Sequence, residues 1–303
     1  IPEGKFDSFL SSEFDVIINS LPDIFKEHTG KDHTIHGIDL GYSESMKELK
    51  DVFSMAPDES LLKTIFIKYD FFNLKTVILS KIKNVEYKDM MIPYSLYDPA
   101  LFNEMAENMN FYHLDPILLP AVENAYREYY LADKDTQVFE LVFDKTAELE
   151  LLSYIKTFSA GIYNYMMLEL VRKEFTSFVR AFIRKLKWTV VKNIVLESRD
   201  EKIYQRLYNT GVDSWGSHIG QLGNSLTTGF FKKYLEGKDL ESVLKSIEMR
   251  KKDMLYRFTF KPAGYEVLFS YAERKQREIY NIRLLLIGKL NNLDTAEIKK
   301  RFM

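Results

Sequence analysis

The sequence contains no cysteine. Disulfides, thiolate zinc sites, iron–sulfur clusters and thiol nucleophiles are therefore excluded, and a reducing compartment is permitted without being required. Proline (8) and glycine (13) are scarce for 303 residues, below their usual shares of ~5% and ~7%. A sheet-rich fold with many tight turns would have too few turn formers to draw on, so helix is the default expectation. No window approaches the ~18 uninterrupted apolar residues of a membrane span. The opening IPEGKFDSFL also lacks the basic and apolar regions of a secretory signal. The chain is expected neither to span a membrane nor to be exported. It opens on Ile1 rather than Met, which points to a natural N-terminus that is missing or processed.

What is present is a full core: 46% hydrophobic, 14% aromatic and 28% charged residues exclude disorder. The length allows two or three domains, or a single large one. A net charge of -2 argues against a general nucleic-acid binder, yet the charge is unevenly spread. Residues 250–303 hold 13 basic and 6 acidic residues, a surplus of +7, which leaves -9 on the first 249. That gradient fits either a molecule with two electrostatically different ends or a basic terminal helix pair with ordinary solvated faces.

Helical periodicity dominates. Ile67, Phe71, Leu74, Ile78 and Ile82 form an apolar stripe at helical spacing. Val171, Phe175, Phe178, Phe182 and Leu186 repeat it, and Ile279, Ile282, Leu286 and Leu290 follow it again. Further helices are predicted over about Asp7–Asn19, Pro116–Tyr130, Thr136–Phe158 and Leu240–Arg250. Connections are predicted at Met91–Asp98, Ala132–Asp135 and the glycine-rich Asn209–Gly223.

The three stripes align without a gap at offsets of 104 and 104, as Lys68–Lys83, Arg172–Lys187 and Gln276–Asn291. In that frame Asp70, Glu174 and Glu278 coincide, then Asn73, Ser177 and Asn281, then Lys81, Lys185 and Lys289. Any two amphipathic helices can be aligned apolar to apolar. The shared carboxylate, small polar residue and lysine at equal spacing instead point to a unit of about 100 residues used three times. The expected divisions are 1–95, 96–200 and 201–303. Within each unit the acid and the small polar residue lie at i and i+3, on one helix face beside the stripe. Such a carboxylate fixes the register of a helix junction by accepting backbone or cationic hydrogen bonds, and catalysis is not required of it.

Motifs for chemistry are missing. There is no Walker loop, the segment Gly211–Gly223 lacks G-x-G-x-x-G spacing, and no G-x-S-x-G, H-E-x-x-H or EF-hand pattern occurs. His28, His33 and His36, with Glu27, Asp32 and Asp39, could supply a metal or an acid–base pair, although GKDHTIHG reads as a surface loop between Gly30 and Gly37. An all-α metal-dependent hydrolase built on His33 and His36 is therefore one alternative, and a helical adaptor with unrelated partners is another. The aromatic residues lie on helical stripes and read as core rather than base-stacking platforms.

One stretch is more specific. Glu266–Phe302, with Lys275, Glu278, Ile279, Asn281, Ile282 and Arg283 in a K-x-x-E-I-x-N-I-R helix and then Gly288 and Lys289 in a Gly-Lys turn, closely resembles the C-terminal signature of the C-type subunit of the rotary A/V-type ATPases, whose eukaryotic equivalent is the d-type subunit. Asp70, Asn73 and Leu74 resemble the family's D-x-x-N-L helix, and Val142–Leu152 resembles its D-K region. The middle unit departs, with Ser177 and Phe178 where the family prefers Asn-Leu. An Arg-rich opening segment is not found ahead of Ile1.

The resemblance implies an all-α funnel of three related helical bundles around a pseudo-threefold axis. It further implies a non-catalytic rotor component without cofactor or metal, peripheral on the cytoplasmic face of a membrane. Its partners would be the proteolipid rotor ring (c/K subunits) and the D and F subunits of the central shaft. Asp70, Asn73, Glu174, Ser177, Arg180, Arg184, Glu278, Asn281 and Arg283 are the candidate positions for domain junctions or partner contacts. Proton against sodium transport, synthase against pump, and ring stoichiometry belong to other chains.

Overall fold

The computed structural model describes residues 3–29, 34–56, 58–87, 90–108, 110–196, 198–237 and 239–302. Among them the chain is all-α, without a strand. The helices are α1 (Glu3–Ser11), α2 (Phe14–Asn19), α3 (Asp23–Thr29), α4 (Ile35–Ser54), α5 (Glu59–Lys83), α6 (Pro99–Asn108), α7 (Leu119–Leu131), α8 (Thr136–Lys156), α9 (Ala160–Ile183), α10 (Trp188–Val191), α11 (Glu201–Asn209), α12 (Ser225–Gly237), α13 (Leu240–Thr259), α14 (Tyr265–Leu290) and α15 (Thr295–Lys300). Several starts are capped as their sequences demand. Thr34, Asp135, Ser159, Asp239 and Asp294 each accept a backbone N–H from the first turn of the helix that follows.

The chain forms two compact units. The first comprises residues 1–70, 92–98 and 268–303, and the second comprises 71–91 and 99–267. The short segment 92–98 thus belongs to the first unit although its neighbours in sequence on both sides belong to the second.

In the first unit α3 packs closely on α4 because glycine occupies the contact. A Cβ on Gly41 would lie 2.8 Å from the Phe25 ring, and one on Gly37 would strike the His28 carbonyl. At the other end of the chain, Ile298 of α15 packs into the space over Gly288, where a Cβ would stand 2.7 Å from its Cγ1. Gly288 and Lys289 therefore sit in the last turn of α14 rather than in a turn. The chain reverses after them at Asn292, whose φ is 52°.

In the second unit the core is a cage of rings. Trp215 is fully buried among Phe178, Phe182, Phe231 and Tyr234, with centroids 5.0–6.0 Å away, and its indole N–H donates to Leu207 O at 2.7 Å. Asn209–Gly223 connects helices as expected, yet it is wound into short 3-10 turns and carries core residues, because Trp215 and Ile219 supply the apolar area that its glycines lack. Two other boundaries differ from the sequence reading. Asp7–Asn19 is broken into α1 and α2 at Ser12–Glu13, and α13 runs on to Thr259.

The basic surplus of the C-terminal segment is met in part by acids earlier in the chain, Asp7, Asp39 and Glu169, while other cations pair within the segment. In the first unit Arg283 pairs with Asp39 at 2.6 Å, Lys299 with Asp7 at 2.7 Å and Lys275 with Glu278 at 3.1 Å. In the second, Lys251 pairs with Glu169 and Lys261 with Glu266, both at 2.8 Å. Three of the segment's cations thus find their acidic partners far earlier in the chain.

Candidate functional site

Two of the three aligned carboxylates hold loops. Asp70, fully buried on α5, accepts the Leu96 N–H at 3.0 Å on one oxygen and the Tyr97 N–H at 2.9 Å on the other. Lys50 of α4 donates to the carbonyl of Ser95, one residue earlier. The segment 92–98 is therefore strapped to the first unit through both its N–H and C=O groups. Ser95 closes it internally, its hydroxyl 2.9 Å from Tyr97 O and 3.2 Å from Ile92 O. Tyr94 plugs its base, edge-on to Tyr69 at 4.8 Å and to Tyr42 at 6.0 Å.

The second unit repeats the device. Glu174, buried on α9, accepts the Leu196 N–H at 2.8 Å, and Lys145 of α8 donates to the carbonyl of Val195, again one residue earlier, at 2.5 Å. A further carboxylate, Asp200, accepts the Gly223 N–H at 3.1 Å.

Burial dominates the ionisation of both strap acids. It pushes Asp70 up to about 7, against the downward pull of the Tyr97 and Leu96 N–H groups and of Lys50. It likewise pushes Glu174 up to about 7, against the Leu196 N–H and the Tyr204 hydroxyl, with Asp200 adding to the rise and Lys145 opposing it. Burial also lowers Lys145 and raises Tyr69 and Tyr94. Such groups near neutrality are often catalytic. Here each is occupied by backbone donors, an arrangement that orders a loop.

The third aligned acid is placed differently. Glu278 is half-buried, pairs with Lys275 on its own helix, and lines a pocket of about 150 Å³ with Phe25, Glu48, Leu49 and Tyr271. Asn73 and Asn281 are buried, whereas Ser177 is half-buried. Phe178, beside Ser177, is fully buried in the aromatic cage, just as Leu74 and Ile282 at the corresponding positions are buried. Arg283 bonds to Asp39 and lies 5.5 Å from the centre of the Tyr42 ring. Arg180 and Arg184 are exposed at the end of α9.

The helices that carry the aligned residues also end alike. At Asn84 (φ 52°) α5 stops with Val85 N–H bonded to Ser80 O, and at Asn292 (φ 52°) α14 stops with Leu293 N–H bonded to Gly288 O. These are the same left-handed helix stop, 208 residues apart, twice the offset of 104. On α9 the stop comes three residues earlier in that frame, at Lys185 (φ 54°), where Leu186 N–H bonds to Ala181 O.

The histidine group is not assembled among the described residues. Asp32 and His33 lie outside them, and His36 is exposed in the first turn of α4, so part of GKDHTIHG is helix rather than loop. No group of three or more His, Asp or Glu side chains that could hold a metal occurs among the described residues. Nor is any described helix long and apolar enough to cross a membrane. The loop residues that receive the strap bonds escaped sequence reasoning. Only the prediction of a connection at Met91–Asp98 marked the place of the first.

Fold and site together define an all-helical protein that uses its buried ionisable groups to fix loops against helices. The family model described as ATP synthase (C/AC39) subunit matches residues 42–301, and the chain belongs to that family, the C-type or d-type subunits of V/A-type ATPases. The family is one of accessory subunits of the ATPase complex. No curated protein sequence matches the chain.

Proposed function

We propose that the chain is the non-catalytic rotor connector of an A/V-type ATPase. In this reading it joins the D and F subunits of the central shaft to the proteolipid ring on the cytoplasmic face of the membrane and passes torque between them. Family membership over residues 42–301 carries the reading. The straps support it physically, since a torque coupler has to be stiff. A loop tied down through both its N–H and C=O groups is stiffer than one held by apolar contact alone.

We also propose that the chain is built of three related bundles, 1–95, 96–200 and 201–303, arranged as a funnel. The offset of 104, the twofold occurrence of the carboxylate–lysine strap and the matching stops at Asn84 and Asn292 support this.

The test is affinity capture of the tagged chain from detergent-solubilised host membranes, with mass spectrometry of what accompanies it. Recovery of ring and shaft subunits together is the expected result. Their absence from a preparation shown to contain intact ATPase would refute the connector role.

A further inference from the structure

The most one-sided run of charge in the protein is not at its C-terminus. Residues 175–196 contain Arg180, Arg184, Lys185, Lys187 and Lys192 and no acidic residue. All five cations are exposed, and none makes an ion pair among the described residues, whereas the C-terminal cations named above are paired.

The fold gathers these five around one reversal of the chain. Arg180, Ile183 and Arg184 share the outer face of the last turn of α9, the face opposite Phe178 and Phe182 in the aromatic core. The left-handed stop at Lys185 then turns the chain directly into α10, so Lys185 and Lys187 remain against the end of α9. The reversal is fixed from beneath by the Tyr208 hydroxyl, which donates to Leu186 O, and by Trp188, whose ring lies 5.8 Å from that of Tyr208. Among the cations stands Ile183, 62% exposed, and Trp188 is only half-buried.

A helix C-terminus favours about half a positive charge, and five exceed what that end requires. Unpaired flexible cations around one exposed aliphatic side chain and one partly exposed indole match the chemistry of a membrane face. There the lysines and arginines meet anionic headgroups while the apolar side chains enter the interfacial layer. A defined acidic partner would instead be met by side chains already held in register.

We propose that residues 180–192 form a docking surface for anionic phospholipid headgroups. The inference rests on the reading of the chain as peripheral to a membrane and adds a direct lipid contact to it.

The test uses the isolated full chain, so it does not depend on any other subunit. Co-sedimentation is measured with vesicles of phosphatidylcholine alone and with added phosphatidylglycerol, at low and high salt. Binding only to the anionic vesicles, weakened by salt, is expected. One surface cation is worth about fivefold in binding, so the double variant Arg180→Glu/Arg184→Glu is expected to lose more than about a hundredfold. Ile183→Asp is expected to weaken binding at low salt as well. Both variants should keep the parent's thermal midpoint, since the altered side chains are exposed. Failure to bind anionic vesicles would overturn the proposal, as would unchanged binding by the double variant. If vesicles are not bound yet the double variant drops out of the captured ATPase, the surface docks an acidic protein instead, and the connector role stands without the lipid contact.

Discussion

Asp70 accepts the backbone N–H of Tyr97, 27 residues further along the chain, at 2.9 Å. The bond matters because the carboxylate is fully buried and its second oxygen takes the neighbouring Leu96 N–H. Two peptide groups of a loop thus depend on one side chain of a helix.

Replacing Asp70 with Ala leaves both donors without that acceptor, at about 1–3 kcal/mol for each group left unsatisfied. Asp70→Ala is expected to lower unfolding free energy by at least about 2 kcal/mol and to speed amide exchange at Leu96 and Tyr97. An unchanged denaturation midpoint with unchanged exchange would show that Asp70 does not strap the loop.

Stability should depend on pH in a defined direction. Asp70 and Glu174 titrate at about 7 in the folded chain, against ordinary values of 3.8 and 4.5. Folding therefore favours their protonated forms. That contribution is complete below about pH 4 and is lost as pH rises through 7. Glu169 acts in the opposite sense: burial would raise it, but Arg172 and Lys251 outweigh burial and hold it at about 2. Its contribution is present above the ordinary glutamate range and lost as pH falls through 2. Denaturant titrations should place maximal stability at about pH 4 to 5, and Asp70→Asn with Glu174→Gln should flatten the fall on the alkaline side. Stability that rises from pH 5 to 8 would contradict the assignment.

At Gly288 two effects of one substitution oppose each other. In an exposed helix Gly→Ala gains about 1 kcal/mol. Here the new methyl would meet Ile298, which is itself buried. Overpacking of that kind costs about 1–3 kcal/mol, so Gly288→Ala is expected to destabilise the chain and loosen α15. A raised melting temperature would show that the helices separate freely at this point.

Arg283 is partnered within the chain, with Asp39 and the Tyr42 ring. The pair is partly exposed, 35% and 44% at the two side chains, so a double-mutant cycle with Arg283→Ala and Asp39→Ala should return about 0.2–1 kcal/mol of coupling. No coupling would leave Arg283 free to serve a partner, as the sequence alone allowed.

Much of this could be read from the sequence because burial leaves a period. The stripe Ile67–Ile82 and its two echoes identified three long helices, and the carboxylates directly ahead of Phe71, Phe175 and Ile279 stood out against apolar surroundings. What each acid holds was not legible. Leu96, Tyr97 and Leu196 bond through their backbone N–H groups, which every residue but proline possesses, so side-chain identity carries no trace of the contact. The Gly288–Lys289 pair read as a turn because glycine serves turns and close helix contacts alike, and only the position of Ile298 separates the two. Summed charge likewise marked the C-terminal segment as basic, while its pairing with Asp7 and Asp39 depends on contacts more than 200 residues apart in sequence.

Coupling of shaft to ring is tested most directly by ATP-driven ion transport in vesicles containing the ATPase stripped of this chain and then given it back. Stripped complexes are expected to transport no ions even where they still hydrolyse ATP, and adding the chain is expected to restore transport linked to hydrolysis. Equal transport with and without the chain would contradict the coupling role.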